Sequence, residues 1–417
     1  MPELSDSPVE RTRLNSGIRV VTEKMPNVRS VSVGVWLRVG SRDESPSDNG
    51  LSHFLEHMVF KGTERRSARE IAASLESRGG NLNGSTGKEI TVYNAQVLDE
   101  DLSIAIDVLT DLLSRPRLAD GDLELEKSVV LAEINHAKED PEELVIDHFY
   151  QQVYPEHPLG YFIYGSADNV LRFRREDLLS FMGRQYLPER MVFAAAGNVD
   201  HNRFVELVAE HYTPAMDSGT PGVFSPPANP PATGRITLEF DVLQQAHIAT
   251  GGRLFGTHDR RKYAMSLLDV LLGGGMSSRL FQNIREKYGF AYNVYSFNDF
   301  LTDTGVFGIY MACAPDRVEQ AIDLIHEELC ILRRQPVSNQ ELEEVKSQVR
   351  GSLILGMESS ARRMRKLGET EILDRPHRTI SEILDEIERI TPEDLRDLAG
   401  EFYCESRLCT TVIVPQH

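Results

Sequence analysis

The residues best suited to chemistry stand together in SDNGLSHFLEHMVFKGT (residues 47–63), which contains the pattern H-x-x-E-H. On a helix His53 and His57 stand at i and i+4, so both imidazoles project from one face and can hold a single ion. Glu56 lies between them, three residues after His53, close enough to act on a water carried by that ion. Zinc lowers the pKa of such a water toward neutrality, and a neighbouring carboxylate takes its proton during attack on a carbonyl. Ser47 or Asn49 is placed to cap this helix, whose apolar stretch runs to about Phe60.

Two surface histidines and a solvated glutamate would spell the same five letters, so the motif gains weight only from a third protein ligand. The stretch DGDLELEKSVVLAEINHAKED (residues 120–140) is a strong helix candidate with Glu126 and Glu133 two turns apart on one face. One of these carboxylates can ligate the ion while the other orients a histidine. His136, one turn past Glu133, is a competing donor at this level of reading.

The elements that must hold these residues fall into two halves. The stretch Thr213–Gly234 has six prolines with Gly and Ser, supplies no periodic apolar face, and reads as a semi-rigid connector. It separates residues 1–212, with the metal motif, from residues 235–417. The halves repeat each other. Glu176-Asp177-Leu178, Tyr186 and Arg190 recur 217 residues later as Glu393-Asp394-Leu395, Tyr403 and Arg407. Gly34 and Leu37 recur at the same offset as Gly251 and Leu254. Each half reads as strands, a helix, a strand region, long helices and a closing strand (MVFAAAGNV; LCTTVIVP). The expected fold class is α+β: two duplicated domains, each a mixed β-sheet with helices packed on it. At the repeat offset His53, Glu56 and His57 fall on Val270, Gly273 and Gly274, while Glu126 and Glu133 fall on Val345 and Ser352. The second half is therefore expected to have no metal site of its own.

Composition narrows the function classes. With 41% hydrophobic and 26% charged residues among 417, the chain is an ordinary globular one of two or three domains. A formal charge of −19 repels nucleic acid and anionic lipid and favours basic peptides as partners. The four cysteines form no C-x-x-C pair and read as reduced core residues. No apolar signal segment opens the chain and no run approaches a membrane span, so a cytoplasmic location is the expectation.

HFLEHMVFKGT, followed by a helix with E-x(6)-E in which Glu133 lies 76 residues after His57, resembles the pitrilysin and mitochondrial processing peptidase family of zinc metallopeptidases. The resemblance spans nearly the whole chain and is nearest to the bacterial and mitochondrial processing-peptidase branch. It implies His53, His57 and Glu133 as ligands of one Zn2+, Glu56 as general base and Glu126 as supporting carboxylate. In LLGGGMSSRLFQNIREKYGFAYNVYSF it implies Arg285 to hold a peptide carbonyl and Tyr292 to donate to the developing oxyanion. In RGGNLNGSTGKEITVY it implies a substrate-binding edge strand carrying Asn83 and Thr86, with Gly84 where relatives often have Ala. It further implies an endopeptidase acting on short or unfolded peptides in a chamber of four domains. For a two-domain chain that means a homodimer or a heterodimer with an inactive homologue. The alternative is a non-catalytic binding or assembly subunit, which normally loses a ligand or the base.

Overall fold

The structure, a computed structural model, describes residues 8–214, 225–227, 229–240 and 243–416; part of the proline-rich stretch thus lies outside the described residues. In chain order the strands are β1 (Val9–Arg13), β2 (Arg19–Lys24), β3 (Ser30–Leu37), β4 (Asn81–Thr86), β5 (Thr91–Leu98), β6 (Met191–Gly197), β7 (Gly234–Phe240), β8 (Ala246–Phe255), β9 (Ala291–Phe300), β10 (Thr304–Cys313) and β11 (Cys409–Pro415). They form two sheets, in the orders β1-β2-β6-β3-β5-β4 and β7-β11-β8-β10-β9.

With β1 set aside, the two sheets have one topology. β2 pairs parallel with β6, as β7 does with β11, and every other neighbouring pair is antiparallel in both. Two separate solutions to the same strand order are improbable, so this is an internal duplication seen as structure. Strand burial follows position in each sheet. The central strands β6 and β10 are buried along their whole length, which is why their sequences are continuous small and apolar runs. β4, at a sheet edge, alternates exposed and half-buried residues.

The chain divides into two compact units, and each draws on both halves of the sequence. Unit 1 comprises Met1–Ile134, Phe162–Phe224 and Ile354–Ile380; unit 2 comprises Asn135–Tyr161, Ser225–Leu353 and Ser381–His417. In unit 1 the helix Ser360–Ile372 covers one face of the first sheet. Its Met364 and Leu367 pack with Val21, Trp36, Val192, Ala194 and Ala196. Close approach depends on small residues here: a Cβ on Gly368 would lie 2.2 Å from the Trp36 ring. Ser32 and Ser360 share a buried hydroxyl hydrogen bond of 3.0 Å at the same interface. In unit 2 the corresponding role falls to Pro141–Val153, whose Leu144, Val145 and Phe149 pack with Ala249, Val306, Ala312 and Ile413. The other face of that sheet packs with Leu268, Leu271, Ile325, Leu329 and Leu398. Each half of the chain thus supplies a helix that covers the sheet built from the other half.

The four cysteines are unpaired. Among the described residues no helix is long and apolar enough to cross a membrane.

Candidate metal centre

The histidine motif lies on the helix Leu51–Val59, whose Leu51, Phe54, Leu55, Met58 and Val59 are buried. The helix starts at Gly50, in the left-handed region at φ +99°, where a Cβ would also lie 2.7 Å from the Tyr164 carbonyl oxygen. Neither Ser47 nor Asn49 caps it. The buried carboxylate of Glu44 does so instead, accepting the Gly50 N–H (2.9 Å), the Ser52 N–H (2.7 Å) and the Asn49 side-chain amide (3.0 Å). Burial pushes Glu44 up to about 7 despite those donors. A negative group at the helix N-terminus satisfies otherwise orphaned amides and sets where the two histidines begin.

Glu126 and Glu133 lie on the helix Asp120–Glu139, as their spacing requires. His53, His57 and Glu133 come together, each offering one ligand atom within 4.8 Å of the others, and they are the group among the described residues able to hold a metal ion. His136 is not a member of it. Glu133 Oε2 lies 3.5 Å from His57 Nε2 and 3.9 Å from His53 Nε2. Two bonds of about 2.0–2.1 Å at a tetrahedral angle would separate their donor atoms by roughly 3.4 Å, so the spacing suits zinc. Glu133 Oε2 is covered and has no hydrogen-bond donor. A desolvated carboxylate oxygen facing two imidazole nitrogens is costly without a cation, and the donor set therefore fits one.

Glu126 contacts one of these candidate donors. Its Oε1 lies 2.8 Å from His57 Nδ1, and its Oε2 lies 2.6 Å from Lys61 Nζ. With its proton on Nδ1, His57 turns the lone pair of Nε2 toward Glu133. Burial pushes Glu126 up, but His57 and Lys61 outweigh it and hold it below the usual carboxylate range. Burial lowers His57, yet the hydrogen bond to Glu126 and the charges of Glu133 and Glu56 raise it overall. His53 is pushed down to about 4 by burial and by the charge of His57, so it is a neutral donor at physiological pH.

Glu56 is buried, and burial raises its pKa against the opposing hydrogen bond from Thr86 and the charge of His57. The Thr86 hydroxyl donates to Glu56 Oε2 at 2.8 Å. Asn83 is exposed on the opposite face of β4, where its Oδ1 accepts the Gly84 N–H at 2.9 Å. The structure therefore places these two β4 residues on opposite faces of the strand. Arg285 belongs to unit 2, in the π-helical turn Phe281–Glu286, with its guanidinium 4.5 Å from the Phe281 ring centre. Tyr292 follows in β9, and its side chain lies outside the described residues.

Sequence reasoning missed Glu44, Lys61 and the crowding at Gly84. Lys61 was within reach, since it falls one turn after His57. The cap was not, because Glu44 acts from six residues before the helix it caps.

The family described as Insulinase (Peptidase family M16) matches residues 19–167, and the one described as Peptidase M16 inactive domain matches residues 172–349. An uncharacterized zinc protease of Mycobacterium tuberculosis is 42% identical over 395 residues, covering 93% of this chain and 89% of the relative. One from Bacillus subtilis is 37% identical over 398 residues, covering 95% and 96%. The crystal structure of a protease from Helicobacter pylori shares the fold, with a TM-score of 0.91 at 22% identity over 98% of this chain and 100% of that one. With both halves matched and relatives this similar along nearly their whole length, the chain belongs to peptidase family M16.

Proposed function

We propose that this protein is a zinc-dependent metalloendopeptidase that hydrolyses short or unfolded peptides. The observation that carries the reading is the convergence of His53 Nε2, His57 Nε2 and the donor-free Glu133 Oε2, with Glu56 one residue from His57. Three protein donors leave a fourth position open, which distinguishes a catalytic site from a closed structural one. When bound there, zinc polarises a carbonyl and lowers the pKa of a water toward neutrality. Glu56 would take a proton from the attacking water and return it to the departing amine, a task suited by a pKa raised through burial. Glu126 keeps His57 in the tautomer that binds metal.

Substrate recognition is read from the sheet edge. β4 ends the sheet order of unit 1, so its outer side can take a peptide as an added strand held through backbone hydrogen bonds. Such binding tolerates varied side chains, and the charge of −19 favours basic ones. Arg285 and Tyr292 would hold the scissile carbonyl and its oxyanion, and pairing of two copies would supply the four domains of a chamber. A non-catalytic assembly subunit would have no need of all three ligands and the base together.

The test is metal analysis beside peptide hydrolysis for wild type and Glu56→Gln. About one zinc per chain in both, with hydrolysis lost in the variant, is the expected outcome. Retained hydrolysis in Glu56→Gln would remove the base from the account, and a zinc-free wild type would remove the metal.

A further inference from the structure

Strand β4 does more than end a sheet. Along it the side chains alternate, with Asn81, Asn83 and Ser85 exposed and Leu82, Gly84 and Thr86 half-buried on the opposite face. The half-buried face meets the motif helix at Glu56. Thr86 Oγ1 donates to Glu56 Oε2 at 2.8 Å. At Gly84, two residues earlier on the same face, a Cβ would lie 2.7 Å from Glu56 Oε1 and 3.0 Å from Glu56 Cγ. The two oxygens of one carboxylate are therefore constrained by two residues of one strand, one by a hydrogen bond and one by proximity.

Gly84 is not among the residues with positive φ, so any amino acid could adopt its backbone. A methyl group at that point would also meet Phe60 Cε2 at 2.9 Å. Phe60 in turn packs on Tyr93, with ring centres 5.9 Å apart. Tyr93 is fully buried, is the register partner of Gly84 on β5, and shares a 3.0 Å hydrogen bond with Tyr186. Relatives often have Ala at this point, so a methyl there is compatible with the site, and the contact specific to Glu56 is the hydrogen bond from Thr86.

We propose that Thr86 is a positioning residue for the base: its hydroxyl holds the Glu56 carboxylate in its working orientation. Because Thr86 belongs to the edge strand, the element that would receive a peptide also fixes the group that would take the proton. This rests on the peptidase reading above. It makes Thr86 a partner of the base and not of the substrate.

The experiment compares Thr86→Val, Thr86→Ser and Thr86→Ala with wild type for zinc content, thermal midpoint, kcat and KM on one peptide. Thr86→Val keeps the shape and removes the donor, and Thr86→Ser keeps the donor. Misplacing a catalytic group by about 1 Å can cost on the order of 100-fold in rate. Thr86→Val should therefore lower kcat by about 10- to 100-fold, with KM within about threefold and zinc content unchanged. Thr86→Ser should restore most of kcat, and Thr86→Ala should lower kcat as Thr86→Val does, without loss of zinc. An unchanged kcat in Thr86→Val overturns the proposal, as does equal impairment of Thr86→Val and Thr86→Ser. A rise confined to KM also overturns it, by assigning Thr86 to the substrate. Should Thr86→Val fail to fold, Thr86→Ala decides alone: unchanged kcat in a folded, zinc-loaded protein rejects the proposal. Wild-type zinc content and hydrolysis are measured alongside, since their absence would overturn the peptidase reading itself, whereas an active, zinc-loaded wild type with unimpaired Thr86→Val overturns this inference alone.

Discussion

Replacing Glu126 with Gln tests whether a buried carboxylate sets the metal affinity through a histidine it holds. Glu126 is about 4% exposed and serves two donors, His57 Nδ1–H at 2.8 Å and Lys61 Nζ at 2.6 Å. An amide of the same shape has one oxygen for these two donors and turns its own NH2 toward the other. Lys61 can only donate, so it keeps the oxygen, and His57 loses its acceptor. The ring then either leaves a proton unsatisfied or moves it to Nε2, the nitrogen that faces Glu133. A charge-assisted hydrogen bond is worth about 1.5–3 kcal/mol, and loss of such a support typically weakens metal binding by roughly 10- to 100-fold. The assay is zinc competition against a chelator of known affinity, at fixed pH, for wild type and Glu126→Gln. A dissociation constant for Glu126→Gln within about twofold of wild type would refute the reasoning.

Two further outcomes concern the scaffold. Gly368→Ala places a methyl 2.2 Å from Trp36, where carbon atoms prefer about 3.5–4.0 Å. At 2.2 Å the overpacking falls at the upper end of the usual range, about 3 kcal/mol, and is offset by about 1 kcal/mol of better helix propensity, so a net loss of about 2 kcal/mol is expected. Trp36 is the single tryptophan, so its fluorescence in a denaturant titration reads the change, and an unshifted midpoint would contradict the packing argument. Glu371 gives a pH dependence. Burial pushes it up, but hydrogen bonds from His377 and Arg11, both at 2.8 Å, outweigh that and hold it at about 2. A depressed carboxylate stabilises the fold above its unfolded pKa, near 4.5, and that contribution is lost as pH falls toward 2. Wild type should exceed Glu371→Gln by up to about 3 kcal/mol near neutral pH, with the gap closing between about pH 4.5 and 2 in denaturation measurements. A gap that stays constant across that window would show that another group governs it.

Much of this centre was legible before any coordinates, for reasons that are local. His53 and His57 share a face because a helix repeats every 3.6 residues, and Glu126 and Glu133 share one for the same reason. The duplication was equally plain, since matching Gly34 with Gly251 places both on central strands, β3 and β8, of sheets with one strand order. What was not legible depends on contacts between distant segments. An apolar stripe on Ser360–Ile372 or Pro141–Val153 announces that a helix must be covered, but not by which sheet. The Glu44 cap was hidden for a related reason. Ser47 and Asn49 have the side chains that cap helices from the adjacent position, and the chain instead folds a carboxylate back over Gly50. Thr86 carries the same lesson in the site itself, because a strand position says which face a hydroxyl takes and not what it meets there.

The most direct test of the central claim is an anomalous-scattering map at the zinc edge from crystals of the wild-type protein grown with zinc. One peak bonded to His53 Nε2, His57 Nε2 and Glu133 Oε2, with a non-protein fourth position, is the result predicted. No peak at these residues, a peak held by His136 in place of Glu133, or a fourth protein ligand closing the site would contradict it.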